Sequence, residues 1–130
     1  MTLAACALVL IGGFFGGISR FFLSGVVGRR IGETFPWGTL LVNVSGALAI
    51  GAFAGGARAV GGIFASDIFR DLIVVGLFGG YTTVSSFSLQ TLNLSLDGEQ
   101  RLAAFNVVAS AGLCLLGVAA GFWSVVWMAG

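Results

Sequence analysis

Apolar residues run along this chain in four long blocks, and charged residues gather between them. The blocks cover approximately 2–28, 36–57, 70–95 and 101–128. Arg29, Arg30 and Glu33 separate the first two; Arg58, Asp67, Arg70 and Asp71 the second pair; Asp97, Glu99 and Arg101 the last. Each block reaches the ~20 residues that a helix needs to cross a hydrocarbon core. Pro36, the only proline, suits the first turn of the second helix. The pattern predicts an all-α membrane protein with four transmembrane helices, in one domain over residues 1–130.

Composition agrees with lipid as the solvent. The chain is 58% hydrophobic and 8% charged, where a soluble domain carries about 25% charged residues. A chain of 130 residues cannot hide that much apolar surface from water. The apolar start, without a basic stretch, argues against a cleaved signal peptide. "LAAC" at residues 3–6 has no room before it for a lipoprotein signal. Glycine is abundant, with Gly12, Gly13, Gly16 and Gly17, Gly51 with Gly55, and Gly117 with Gly121 at helical spacing. Small residues let helices approach closely in lipid, where packing replaces the hydrophobic drive.

Charge and side-chain chemistry narrow the function classes. No basic patch points to nucleic acid. With no histidine and two cysteines, Cys6 and Cys114, inside apolar runs, neither a transition-metal site nor a disulfide framework is expected. Four spans put Arg58, Arg70 and the terminal amine on one side, and Arg29, Arg30 and Arg101 on the other. Loop arginines set orientation, and three against three sets none. One reading is insertion in both orientations with antiparallel pairing. The other is that one of these arginines lies outside a loop.

A few polar residues sit inside the blocks. Arg20 is the only charge well within a span, where a charge costs at least ~2.5–3.5 kcal/mol. It either snorkels to the nearer surface or sets a positive field at a pore mouth. Thr39 and Asn43 are four apart and share a helical face, with Ser45 and Gly46 just after. They read as polar glue between helices or as groups aimed into a pore. Ser110, four after Asn106, raises the same pair of readings. No carboxylate is expected at membrane depth, which favours anion handling over proton-coupled transport of cations.

The stretch "GLFGGYTTVSSFSLQ", residues 76–90, departs most from a plain span. Adjacent Gly79 and Gly80 followed by Thr82 and Thr83 weaken a helix. A break near 79–83 is expected, and non-helical backbone at that depth survives only against protein or a cavity. It would free carbonyls that attract a cation and N–H groups that attract an anion. Six hydroxyls within residues 81–88 add donors, more than packing requires. The alternative, hydroxyls bonding back to the i−4 carbonyl, explains less of that cluster.

"GGFFGGISRFF", "FPWGTLLVNVSGALAIG" and "GLFGGYTTVSSFS" together resemble the three hallmark motifs of the Fluc (CrcB) fluoride channels, and the resemblance covers essentially the whole chain. It implies an antiparallel, dual-topology homodimer with two fluoride pores and a central Na⁺. The carbonyls of Gly79 and Thr82 would hold that Na⁺, each supplied twice across a two-fold axis. The motif arginine falls on Arg20 and the pore asparagine on Asn43. Polar pore groups fall on Thr83, Ser85 and Ser86, with Ser110 on the fourth helix; Thr39 joins them through its face shared with Asn43. The family places two phenylalanines three apart, whose positive ring edges line the path. Phe87 supplies the second, but the first position is Val84. Phe78, Phe21 and Phe22 are candidates to fill the gap.

The expected function is a passive fluoride channel of a bacterial-type inner membrane, with no reaction catalysed. Val84 motivates a second expectation, a non-conducting partner subunit of such a channel. A four-helix, dual-topology multidrug exporter is disfavoured because no embedded carboxylate is expected.

Overall fold

A computed structural model of the chain describes residues 2–32 and 34–130; Glu33, of the first charged cluster, lies outside them. It is all-helical, with four helical segments long and apolar enough to cross a membrane. Helix α1 spans Leu3–Ile31 and α2 spans Trp37–Ala59. A short 3₁₀ turn at Gly62–Ala65 leads into the third segment. That segment comprises α3, residues 67–81, and α4, Ser85–Leu96. Helix α5 spans Gln100–Ala129.

The helices overrun the apolar blocks because charges at their ends are helical. Arg29 and Arg30 lie in the last turn of α1, where cations complement the negative end of the helix dipole. Arg58 closes α2 and lies over the Phe122 ring, 5.9 Å from its centroid. Arg101 is in the first turn of α5. These arginines therefore sit in terminal turns and not in loops, still at the span ends where arginines count toward orientation. Pro36 is the cap before α2 and not its first helical residue. Thr2 caps α1 by accepting from Ala5 N at 3.1 Å, as N-terminal hydroxyls do.

Packing rests on glycine. In the α2–α5 pair, Gly51 faces the Val118 carbonyl, Gly55 faces Phe122 O, and Gly121 faces Leu48 O, each too close to admit a Cβ. The spacing Gly51/Gly55 and Gly117/Gly121 thus marks an interface, with Gly117 at ordinary distance from Val44 O. Helix α1 meets α3 in the same way: Gly12 abuts Leu72 O and Gly16 abuts Leu77 O. The α3 face they meet is a π-helical stretch, Arg70–Phe78, a form found mostly as single turns and often at functional sites. Val42 and Asn106 are the most deeply buried large side chains. Phe35, Leu40, Leu94 and Ala103 form a small core where α2, α4 and α5 meet near one end. Much of the remaining apolar surface is exposed, including Phe14, Phe21 and Leu116, as expected of a chain whose solvent is lipid.

Asp71 departs from the expected charge distribution. It is a carboxylate inside the third apolar segment, 7% exposed. It sits close to the segment's start and accepts from Arg70 Nε at 3.4 Å; Arg70 also pairs with Asp67 at 3.2 Å.

Candidate functional site

The third segment is interrupted at residues 82–84, within two residues of the expected position. Gly79 and Gly80 are themselves helical, with Gly79 at φ −62°, ψ −38°. Gly80 serves packing: a Cβ there would lie 2.6 Å from Gly13 O on α1. The chain leaves the helix at Thr82, at φ −79°, ψ 155°. Its hydroxyl bonds back to Phe78 O at 2.9 Å, which competes with helix continuation.

Asn43 holds the interruption open. Its Nδ2 donates to Thr83 O at 2.8 Å, and its Oδ1 accepts from Thr83 N at 2.7 Å. One carboxamide thus satisfies both backbone groups of a residue outside the helices, as buried peptide groups require. Thr83 N is the donor that would otherwise close the turn onto Gly79 O. Ser86 N, which would close onto Thr82 O, bonds instead to Thr83 Oγ1 at 3.1 Å. The carbonyls of Gly79 and Thr82 are thereby released from helical bonding. Among the described residues, the amides of Val84 and Phe87, at the start of α4, also lack a hydrogen-bond partner. Freed carbonyls end one half-helix and freed N–H groups begin the next, the arrangement that attracts a cation to one and an anion to the other.

The expected site residues fall into four groups. Asn43, Thr82, Thr83, Ser85 and Ser86 converge at the break, with Thr83 Oγ1 and Ser85 Oγ 3.1 Å apart. Arg20 approaches from α1, its Nε donating to Gly80 O at 3.2 Å, so it tethers the first half-helix. Ser110 belongs to a buried polar ladder between α5 and α4. Its Oγ donates to Asn106 Oδ1 at 3.3 Å, Asn106 Nδ2 donates to Thr91 Oγ1 at 2.8 Å, and Thr91 Oγ1 donates to Phe87 O at 2.7 Å. The ladder ends on the carbonyl of Phe87, in the first turn of α4. Thr39 is buried one turn from Asn43 and lines a cavity together with Phe21 and Phe22.

Val84 is 76% exposed. Phe78 stacks edge-on with Tyr81 and packs on Phe53, which leads to Phe64 and Phe69. It is thus part of an aromatic chain along α2 and α3.

Thr91 and the bond between Ser45 and Tyr81 escaped the sequence reading, which named Asn106 only as the partner of Ser110 by spacing. Thr91 had a signal, its spacing of four from Phe87. The Ser45–Tyr81 hydroxyl pair, 2.9 Å apart, joins residues far apart in sequence and had none. The two carbonyls expected to hold Na⁺ suit it by chemistry, being hard oxygen donors released from helical bonding.

A family model described as CrcB-like protein, Camphor Resistance (CrcB), matches residues 7–122. The chain is 65% identical over 128 residues, 98% of its length and 96% of the relative's, to fluoride-specific ion channel FluC 4 of Brucella abortus biovar 1 (strain 9-941). It is 64% identical over the same length to fluoride-specific ion channel FluC 3 of Brucella suis biovar 1 (strain 1330). It is 56% identical over 114 residues, 88% of its length and 87% of the relative's, to fluoride-specific ion channel FluC 2 of Rhodopseudomonas palustris (strain BisB18). A match across the spans, the break and the polar ladder leaves one conclusion: the chain belongs to the CrcB family.

Proposed function

We propose that the protein is a passive fluoride-selective channel that lets cytoplasmic fluoride leave across a bacterial inner membrane. Its membership of the CrcB family and the names of its relatives support the ion. The observation that carries the mechanism is the break held open by Asn43. Fluoride is small and strongly hydrated, so a path through the membrane has to return hydrogen-bond donors along its length. The free amides of Val84 and Phe87 and the hydroxyls of Thr83, Ser85 and Ser86 are such donors. Thr39 and Ser110 add polar groups beside them, Ser110 as part of the ladder that ends on Phe87 O, and the edge of Phe87 adds positive quadrupole. Arg20 fixes the first half-helix and places positive charge near the break. The membrane potential drives exit at about 2.3 kcal/mol per charge per 100 mV.

The working unit in this reading is an antiparallel homodimer with two pores. Gly79, Val84 and Ser85 are exposed in the single chain. Released backbone groups are not tolerated against lipid, so a second copy covering this face supplies what one chain lacks. The carbonyls of Gly79 and Thr82, doubled by symmetry, would then hold a Na⁺ at the dimer centre. Such an ion supplies positive charge where four carbonyl oxygens would otherwise repel one another. Expected on this basis, Phe87→Ile abolishes fluoride efflux from liposomes while the dimer persists; wild-type efflux from that variant would refute the assignment.

Val84 supports one competing reading, a weakly conducting or non-conducting subunit that pairs with a complete one. Fluoride efflux from liposomes holding only this protein excludes it.

A further inference from the structure

Helix α2 meets three successive residues of the third segment with three residues of its own. Asn43 clips Thr83 through both of its backbone groups. Gly46 receives Thr82: a Cβ there would collide with the Thr82 methyl and lie 3.2 Å from the Tyr81 ring. Ser45 takes Tyr81, their hydroxyls 2.9 Å apart. Ser45 Oγ also donates to Val42 O at 3.1 Å, so the phenol is the donor of the pair. A tyrosine hydroxyl away from water needs such a partner. The ring of Tyr81 is held as well, edge-on to Phe78 with centroids 6.3 Å apart.

Thr82 lies at the centre of this contact. Its N–H and its hydroxyl both donate to Phe78 O, each at 2.9 Å. Its methyl lies against Gly46. The residue before it is bonded to Ser45, and the residue after it to Asn43. Among the described residues, its carbonyl is the one polar group of Thr82 left without a partner. Asn43 fixes the peptide on the far side of Thr82. The Ser45–Tyr81 bond fixes the near side by tying the last turn of α3 to α2. A carbonyl held in this way suits a cation, because little ordering remains to be done on binding. A group that is loose in the free protein lowers affinity by the fraction of time it is out of place.

We propose that Ser45, Gly46 and Tyr81 form a cradle that sets the Thr82 carbonyl in position for a cation, which makes Tyr81 and Ser45 positioning residues of the Na⁺ site. The inference rests on the reading of Gly79 and Thr82 as that site and names what orders it. The test is the melting temperature of the purified protein in detergent and an organic-cation buffer, titrated with sodium chloride at constant ionic strength. The sodium concentration at which the melting temperature starts to rise reports the apparent affinity. Tyr81→Phe keeps the ring on Phe78 and removes only the donor. It should move that concentration up by about three- to tenfold, the worth of one interhelical hydrogen bond in a membrane protein. Ser45→Ala removes the acceptor and should move it by a similar factor, and it decides the matter if Tyr81→Phe does not fold. The double variant should go no more than about twofold beyond either single one, because both remove the same bond. A bond that only holds the fold together would lower the melting temperature without sodium and leave the sodium dependence where it was. That result, or a double variant shifted by the product of the two singles, would overturn the inference and leave the Na⁺ site standing. A wild-type protein whose melting temperature ignores sodium would overturn both, whatever its fluoride efflux.

Discussion

Asn43→Leu is the perturbation that separates the clip from the path it holds open. Leucine keeps the volume roughly but removes both bonds to Thr83, of 2.8 and 2.7 Å. Side-chain hydrogen bonds in membrane proteins average about 0.6 kcal/mol and reach about 1.7 kcal/mol. The upper value applies to each bond here, because Thr83 N and Thr83 O belong to backbone that has no helical partner while the break is open. The loss is then about 3 kcal/mol, worth roughly 150-fold in the stability of the open break. Thr83 N regains a partner only by closing onto Gly79 O, which straightens the helix and withdraws the freed groups. We expect fluoride efflux from liposomes to fall at least tenfold, with a lower melting temperature in detergent. Unchanged stability would refute the clip. Lowered stability with wild-type efflux would refute the assignment of the break as the ion path.

The remaining predictions concern packing, the polar ladder and the cation. Gly12→Ala should destabilise by 1–3 kcal/mol or more, since overpacking against backbone is not easily relieved; Gly112→Ala, where a Cβ meets nothing within 4 Å, is the neutral control in the same melt. Thr91→Val should remove the acceptor of Asn106 and cost about 1–2 kcal/mol, with reduced fluoride efflux. A Ser110→Ala variant, which leaves Asn106 bonded to Thr91, should be milder in both readouts. Sodium added to protein purified in an organic-cation buffer should raise its melting temperature, as a ligand of the folded state does; potassium at equal ionic strength should do less.

Four spans were legible because each block exceeds the length of a bilayer crossing and charges mark the gaps. Their ends were not, because Arg29, Arg30 and Arg101 read as loop residues yet complete terminal turns. The glycine pairs were legible as packing because spacing of four puts them on one stripe, and Gly51, Gly55 and Gly121 meet backbone there. The break was legible to within two residues, but for a partly different reason. Gly79 and Gly80 stay helical, and the departure is set by Asn43 reaching across 40 residues, which no local propensity encodes. The Thr82 hydroxyl, bonded back to Phe78 O, is the local contribution to that departure. Arg20 stood out as an embedded charge, yet its bond to the Gly80 carbonyl depends on how α1 lies against α3. The π-helical stretch had no sequence signal, since its residues are ordinary helix formers apart from Gly76. It lies where Gly12 and Gly16 of α1 press against it.

Efflux from liposomes containing this protein alone, read with fluoride-selective and chloride-selective electrodes in parallel, tests the central claim most directly. Rapid loss of fluoride with chloride retained is the predicted result. Retention of both ions, or release of chloride as readily as fluoride, would contradict the account.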